Sequence, residues 1–201
     1  MSIRLGYRPP NTDRVTTLEA ELAKIPAGTT SKGMISQGIV DLMKKTGMSI
    51  PPSDLYKGKY LGFMDYPLTD FIALAWECAG KLYPHKPRLL AIQKVGEEAY
   101  FSFTQSTIGG VVFSIFARDV YKAAPLIPRG YRISLNHGNV TLAELDKEKN
   151  EALFDFADVY NFPEVYHSGV LNGWLRACGK KGTVKVKRIS SSHHSFLVTW
   201  L

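Results

Sequence analysis

The sequence predicts an α+β fold, an N-terminal helical layer packed on a C-terminal antiparallel sheet with one inserted helix. Two observations carry this. Apolar residues recur at helical spacing as far as Pro125 and then alternate from one residue to the next. The alternating segments are neighbours in the chain, separated by short turns, and one helical stretch interrupts them. Residues 1–15 read as a polar arm and 16–201 as a single domain.

Each element has its own signal. Thr16 and Glu19 form a capping-box pattern ahead of a short helix that stops at Pro26. Met34, Ile35, Ile39, Leu42 and Met43 then fall at helical spacing, with Ser31 as cap and Gly47 as stop. Residues 48–65 are rich in Pro and Gly and read as a loop. The stretch "YPLTDFIALAWECAGKLYP" is the clearest helix. Pro67 suits its first turn, Phe71, Leu74, Ala75 and Cys78 share one side, and Pro84 follows its end. Residues 86–103 form another helix with Gly96 as a weak point, and residues 104–125 a further one. Tyr131, Ile133 and Leu135 alternate, so residues 131–136 read as a strand, with His137–Gly138 as a turn into a return strand. Phe154 and Phe156 alternate with Asp155 and Ala157 in the next strand. Val165, Val170, Leu171, Trp174, Leu175 and Cys178 restore helical spacing, with Gly179 as the cap. Residues 183–190 and 195–201 close the chain as a hairpin.

Composition narrows the function classes. Hydrophobic residues make up 45% and charged residues 21%, enough to bury a core without staples. The two cysteines, Cys78 and Cys178, cannot make a zinc site alone and read as buried free thiols. No apolar leader and no run of spanning length is visible, so a cytoplasmic protein is expected. The net charge of +7 is local, because six cations and no acid follow Glu164.

Four phrases, "IPAGTTSKGMISQGIVD", "YPLTDFIALAWECAGKLYP", "IPRGYRISLNHGNV" and "YHSGVLNGWLRACGKKGTVKV" with a closing "FLVTW", resemble a myxobacterial family of proteins of unknown function. The resemblance covers nearly the whole chain. It implies a fold group that includes haem-NO-binding domains, TRAPP vesicle-tethering subunits and 4-vinyl-reductase-like domains, which are sensors, ligand binders or assembly subunits. The haem-binding members use a helical histidine and a Tyr-x-Ser-x-Arg triplet at the propionates. Here Tyr166 and Ser168 are followed by Val170, and Tyr100 and Ser102 by Thr104. Without the arginine the charge-assisted propionate contact is lost, so haem is disfavoured and no cofactor is predicted.

The candidate sites are few. Lys180, Lys181, Lys185, Lys187 and Arg188 make a candidate anion-binding patch, although Val184 and Val186 alternating with Lys185 and Lys187 also describe a strand with one wet face. Aromatic stacking platforms do not interleave these cations. His193 and His194 read as an exposed serine-rich turn, with His137 or His167 as remote third ligands if a metal were bound. Cys178 reads as inert through burial. Asp155 and Asp158 read as hydrated surface. Phe71, Trp76, Phe101, Phe103, Phe113 and Phe116 supply bulky helical surface for a core, or for the walls of an apolar cavity. No P-loop, dinucleotide fingerprint or nucleophile elbow occurs. The expected function is a non-catalytic domain that binds a small apolar ligand or a protein partner. The alternative is a nucleic-acid-associated protein using the basic patch.

Overall fold

The computed structural model describes residues 5–105 and 119–201. Helix α1 (Leu18–Leu22) is capped one residue later than the sequence predicts, because the Thr17 hydroxyl accepts from the Ala20 N–H. Thr16 instead donates to the buried Glu21 carboxylate. Strand β1 (Thr30–Lys32) pairs antiparallel with β2 (Asp65–Pro67), so the Pro/Gly-rich stretch read as a loop ends in a strand. Ser31 therefore lies in a strand and caps nothing. Helix α2 (Gly33–Lys45) starts instead on backbone partners, with the N–H groups of Gly33 and Met34 donating to the carbonyls of Met64 and Gly62. Loop 61–64 is thus seated on the α2 N-terminus. Gly47 ends this helix at φ +71°, as expected of a left-handed cap.

Helices α3 (Leu68–Leu82) and α4 (Arg88–Gln105) follow the predicted spacing. Phe71, Leu74, Ala75 and Cys78 are all fully buried. Most of the helix expected over 104–125, with Phe113 and Phe116, lies outside the described residues, as does the Phe103 side chain. Helix α5 (Val120–Ala123) is capped by Asp119, whose carboxylate accepts from the N–H groups of Tyr121 and Lys122.

The strand expected at 131–136 is a helix. Helix α6 runs over Leu126–Ser134. Pro128 sits in its first turn, where a missing N–H breaks no hydrogen bond. Its amphipathic turn sends Ile127 inward and leaves Ile133 half exposed.

The main sheet contains β3 (Asn139–Asp146), β4 (Glu151–Ala157), β5 (Gly182–Arg188) and β6 (His194–Trp200), in the antiparallel order β3-β4-β6-β5. Its inner face is Phe154, Phe156, Val184, Val186, Phe196 and Val198, all buried, while Lys185 and Lys187 point to solvent. Beyond β5, Arg8 of the arm exchanges two backbone hydrogen bonds with Val186. The Tyr7 and Ser195 hydroxyls meet at 2.8 Å, and the Asn11 N–H donates to Glu164.

Helix α7 (Val165–Ala177) lies between the two layers. Its Val165, Tyr166 and Val170 join the helical core, whereas Leu171, Trp174 and Leu175 join the core above the sheet. It crosses α4 at very short range. A methyl group on Gly173 would lie 2.5 Å from the Glu97 carbonyl oxygen, and one on Gly96 would lie 2.5 Å from that of Tyr166. One on Gly169 would approach the Gln93 carbonyl more closely still. These are backbone atoms, which cannot swing aside.

Gly169→Ala is therefore expected to destabilise the protein by about 2 kcal/mol, the usual cost of overpacking. Gly130→Ala on α6, where an added methyl meets nothing within 4 Å, should stabilise by roughly 0.5–1 kcal/mol through helix propensity. Urea unfolding of both variants beside the parent chain checks the opposite signs.

Candidate functional site

A cavity of about 540 Å³ opens between α2, α4, α6 and the start of α7. Its wall is mainly apolar and includes Ile35, Ala99, Ile127 and Val170. Two glycines keep it open. Gly38 faces Ala99 across an ordinary contact distance, and Gly130 faces empty space. Exposed Phe63 and Ile133 mark the mouth, together with Arg129. A volume of this size suits a small organic molecule.

The polar groups of the wall are organised around His167, which is fully buried on α7. Its Nδ1 meets the Tyr131 hydroxyl at 2.6 Å and its Nε2 meets Asn161 Oδ1 at 3.1 Å. Burial pulls its pKa down to about 3, so the ring is neutral. A neutral ring donates once and accepts once. With Nε2–H donating to Asn161, Nδ1 accepts the Tyr131 proton. Phe162 takes φ +50°, a conformation rare for an aromatic residue, with its ring stacked beside Trp76 and Asn161 on the cavity wall. Burial also raises the pKa values of Tyr100, Tyr131 and Tyr166, so all three keep their protons.

Tyr131 and Leu135 also border a second, polar cleft of about 280 Å³ on the other flank of α6, with His137 and Arg132. Burial lowers the His137 pKa.

Of the residues singled out from sequence, Tyr100, Tyr166 and Val170 line the cavity and His167 stands behind it, while the basic patch, His193 and His194 fall elsewhere. Lys180 and Lys181 occupy the turn from α7 to β5, Lys185 and Lys187 the wet face of β5, and the Arg188 Nε–H donates to the Ser190 carbonyl. His193 and His194 are not both on an exposed turn. His194 opens β6 with 3% of its surface exposed and a pKa lowered to about 4 by burial, while His193 meets the Asp155 carboxylate at 2.9 Å. Asp155 is therefore a paired group rather than only a hydrated one. Among the described residues no three His, Cys, Asp or Glu side chains converge on a metal position. Cys178 is buried as expected, and burial raises its thiol to about 11. Tyr166, Ser168 and Val170 stand on one helix. Ser168 faces away from the cavity, where it accepts from Gln93 and donates to the Val165 carbonyl.

The sequence reading allowed an apolar cavity in the helical layer, but Phe71, Trp76 and Phe101, named for its walls, do not line it, and the Tyr131–His167–Asn161 chain was missed. One signal pointed there. Gly169 and Gly173, four apart on one helix, mark a close crossing of the kind that holds α7 against α4.

Residues 24–201 match a family described as "Protein of unknown function (DUF2378)", and the chain belongs to that family. No curated protein matches it. Several solved structures share its fold. The Fe(II) unliganded H-NOX protein from K. algicida superposes with a TM-score of 0.61 at 12% identity, covering 85% of this chain and 96% of that one. The S. oneidensis H-NOX protein in the Fe(II)NO state gives 0.61 at 16% identity, with 85% and 99% covered. The same organism's H-NOX domain in the Fe(II)CO state gives 0.62 at 14%, with 85% and 98% covered.

The fold thus raises haem as a candidate, and the cavity does not fit it. None of the five histidines and neither cysteine lines the cavity. His167 stands behind Tyr131 with both nitrogens engaged. Met34 sulfur accepts from the Ser134 hydroxyl at 3.7 Å, and the tyrosines are held protonated. The usual axial ligands are therefore missing or occupied.

Burial of neutral His167 also sets an acid sensitivity. In the unfolded chain its pKa is near the ordinary value of 6.5, and in the fold about 3. The unfolded state binds the extra proton first, so stability falls as pH drops below about 6.5 and stops falling for this group near pH 3. Between pH 6.5 and 5, His167→Gln is expected to lose stability less steeply than the parent, by about 1 kcal/mol per pH unit. Urea midpoints across that range provide the check, and equal slopes would contradict a neutral buried ring.

Proposed function

We propose that this member of the DUF2378 family is a non-catalytic, cytoplasmic ligand-binding domain that takes a small apolar molecule into the cavity beside α6. The observation that carries the reading is the cavity itself, about 540 Å³ of mainly apolar space held open by glycines on two rigid helices. An apolar guest in a mainly apolar pocket of that size gains dispersion contacts with its wall. Chemistry finds little support at the same place. The wall has tyrosine hydroxyls held protonated and an asparagine, and the nearest histidine is neutral and doubly hydrogen-bonded.

The cavity also touches an element able to report occupancy. Helix α6 forms one wall, and its Tyr131 reaches through to α7 and to the ring of Phe156 on the sheet. A guest that presses on α6 acts on the same hydroxyl that joins the two layers. The H-NOX likeness supports a sensor architecture through its fold, with a different occupant.

A neutral probe, 2-isopropylnaphthalene, is expected to bind saturably at one site in isothermal titration calorimetry. Gly130→Phe should fill the space and abolish that binding while raising the melting temperature, and Gly130→Ala should bind as the parent does. Absence of saturable binding by the folded parent protein would refute the reading.

A further inference from the structure

The cavity has a polar end as well as an apolar body. Tyr166 is 6% exposed and lines the cavity. Its ring is gripped on one side by Phe71, at 5.2 Å edge-to-face, and on another by the close approach of Gly96. Its hydroxyl has no hydrogen-bond partner among the described residues, and its environment acts on it through burial alone. Asn161, 2% exposed, lines the same cavity. Its carbonyl oxygen is committed to His167, which leaves its amide N–H groups without a partner among the described residues. The opposite histidine tautomer would turn the amide round and free the Tyr131 proton instead. In the first arrangement the spare donors of the wall are Tyr166 O–H and Asn161 N–H, and in the second they are the Tyr166 and Tyr131 hydroxyls.

Donors set in a mainly apolar wall without a protein acceptor favour the guest that satisfies them as it displaces solvent from the cavity. Among the described residues no cation lines this end, and Arg129 is exposed at the mouth. An ionised head would be desolvated there without a counter-charge. A carbonyl oxygen has two lone pairs and no charge. We infer that the cavity selects an apolar molecule bearing one carbonyl group, such as an aryl or alkyl ketone, whose oxygen accepts from Tyr166 O–H and Asn161 N–H. This inference rests on the cavity reading above and adds the chemical class of the ligand.

The test uses three probes of one size, namely 2-acetylnaphthalene, 2-isopropylnaphthalene and 2-naphthoate, titrated calorimetrically into the full chain and into Tyr166→Phe. The variant removes one oxygen that has no hydrogen-bond partner among the described residues, and a melting curve confirms its fold. The ketone is expected to lose about tenfold in affinity in Tyr166→Phe, the effect of one hydrogen bond, while the hydrocarbon binds both proteins equally. An equal response of ketone and hydrocarbon to the substitution would overturn the inference and leave the cavity reading standing. Naphthoate binding more than tenfold tighter than the ketone would also overturn it, placing the anchor at Arg129. If none of the probes binds the parent, the cavity reading fails and the inference with it.

Discussion

The contact on which the rest of the molecule depends is the crossing of α4 over α7. Gly96, Gly169 and Gly173 let two helix backbones approach until carbonyl oxygens stand where side chains would be. Short range has two consequences. It buries most of α7, so that one helix serves both the helical core and the core above the sheet. It also fixes the first turn of α7, and with it Tyr166 and His167, against a frame that cannot slide. A wider crossing would separate the layers and loosen every contact from Tyr131 to Asn161.

Where side chains announced their surroundings locally, the sequence was readable. The stripe on α3, the glycine that ends α7 and the valine–lysine alternation of β5 each imply their structure within a few residues. Two features misled. Tyr131, Ile133 and Leu135 alternate like a strand, and Pro128 and Gly130 argue against a helix, yet Pro128 falls in the one turn that tolerates it. Long-range packing then decides the segment, since Tyr131 must reach His167 thirty-six residues away. Similarly, the serines before His193 suggest an open turn, but the pairing of β6 with β4 begins at His194 and draws it under the sheet. The cavity was the least legible part. It is defined by what glycines omit and by residues scattered from α2 to α7, and no short motif encodes an absence.

The likeness to H-NOX proteins separates architecture from chemistry. The fold is shared over 85% of this chain at 12–16% identity, so the likeness speaks for the backbone and not for the residues around the cavity. A buried histidine is present, but it is turned into a structural link between Tyr131 and Asn161. The same framework can therefore enclose a guest without offering it a ligand bond. Function in such a fold follows the wall of the cavity rather than the path of the backbone.

The arm beside β5 has a bearing on how the molecule keeps to itself. By exchanging two backbone hydrogen bonds with Val186, Arg8 occupies part of an edge that would otherwise invite another strand. On the far side of the sheet, β3 changes register between Leu142 and Glu144, which spoils it as a straight template. One border is shuttered by the chain's own beginning and the other is notched. Losing the two hydrogen bonds at Arg8 would unlatch the first border, where Lys185 and Lys187 also guard β5 against stacking into fibres.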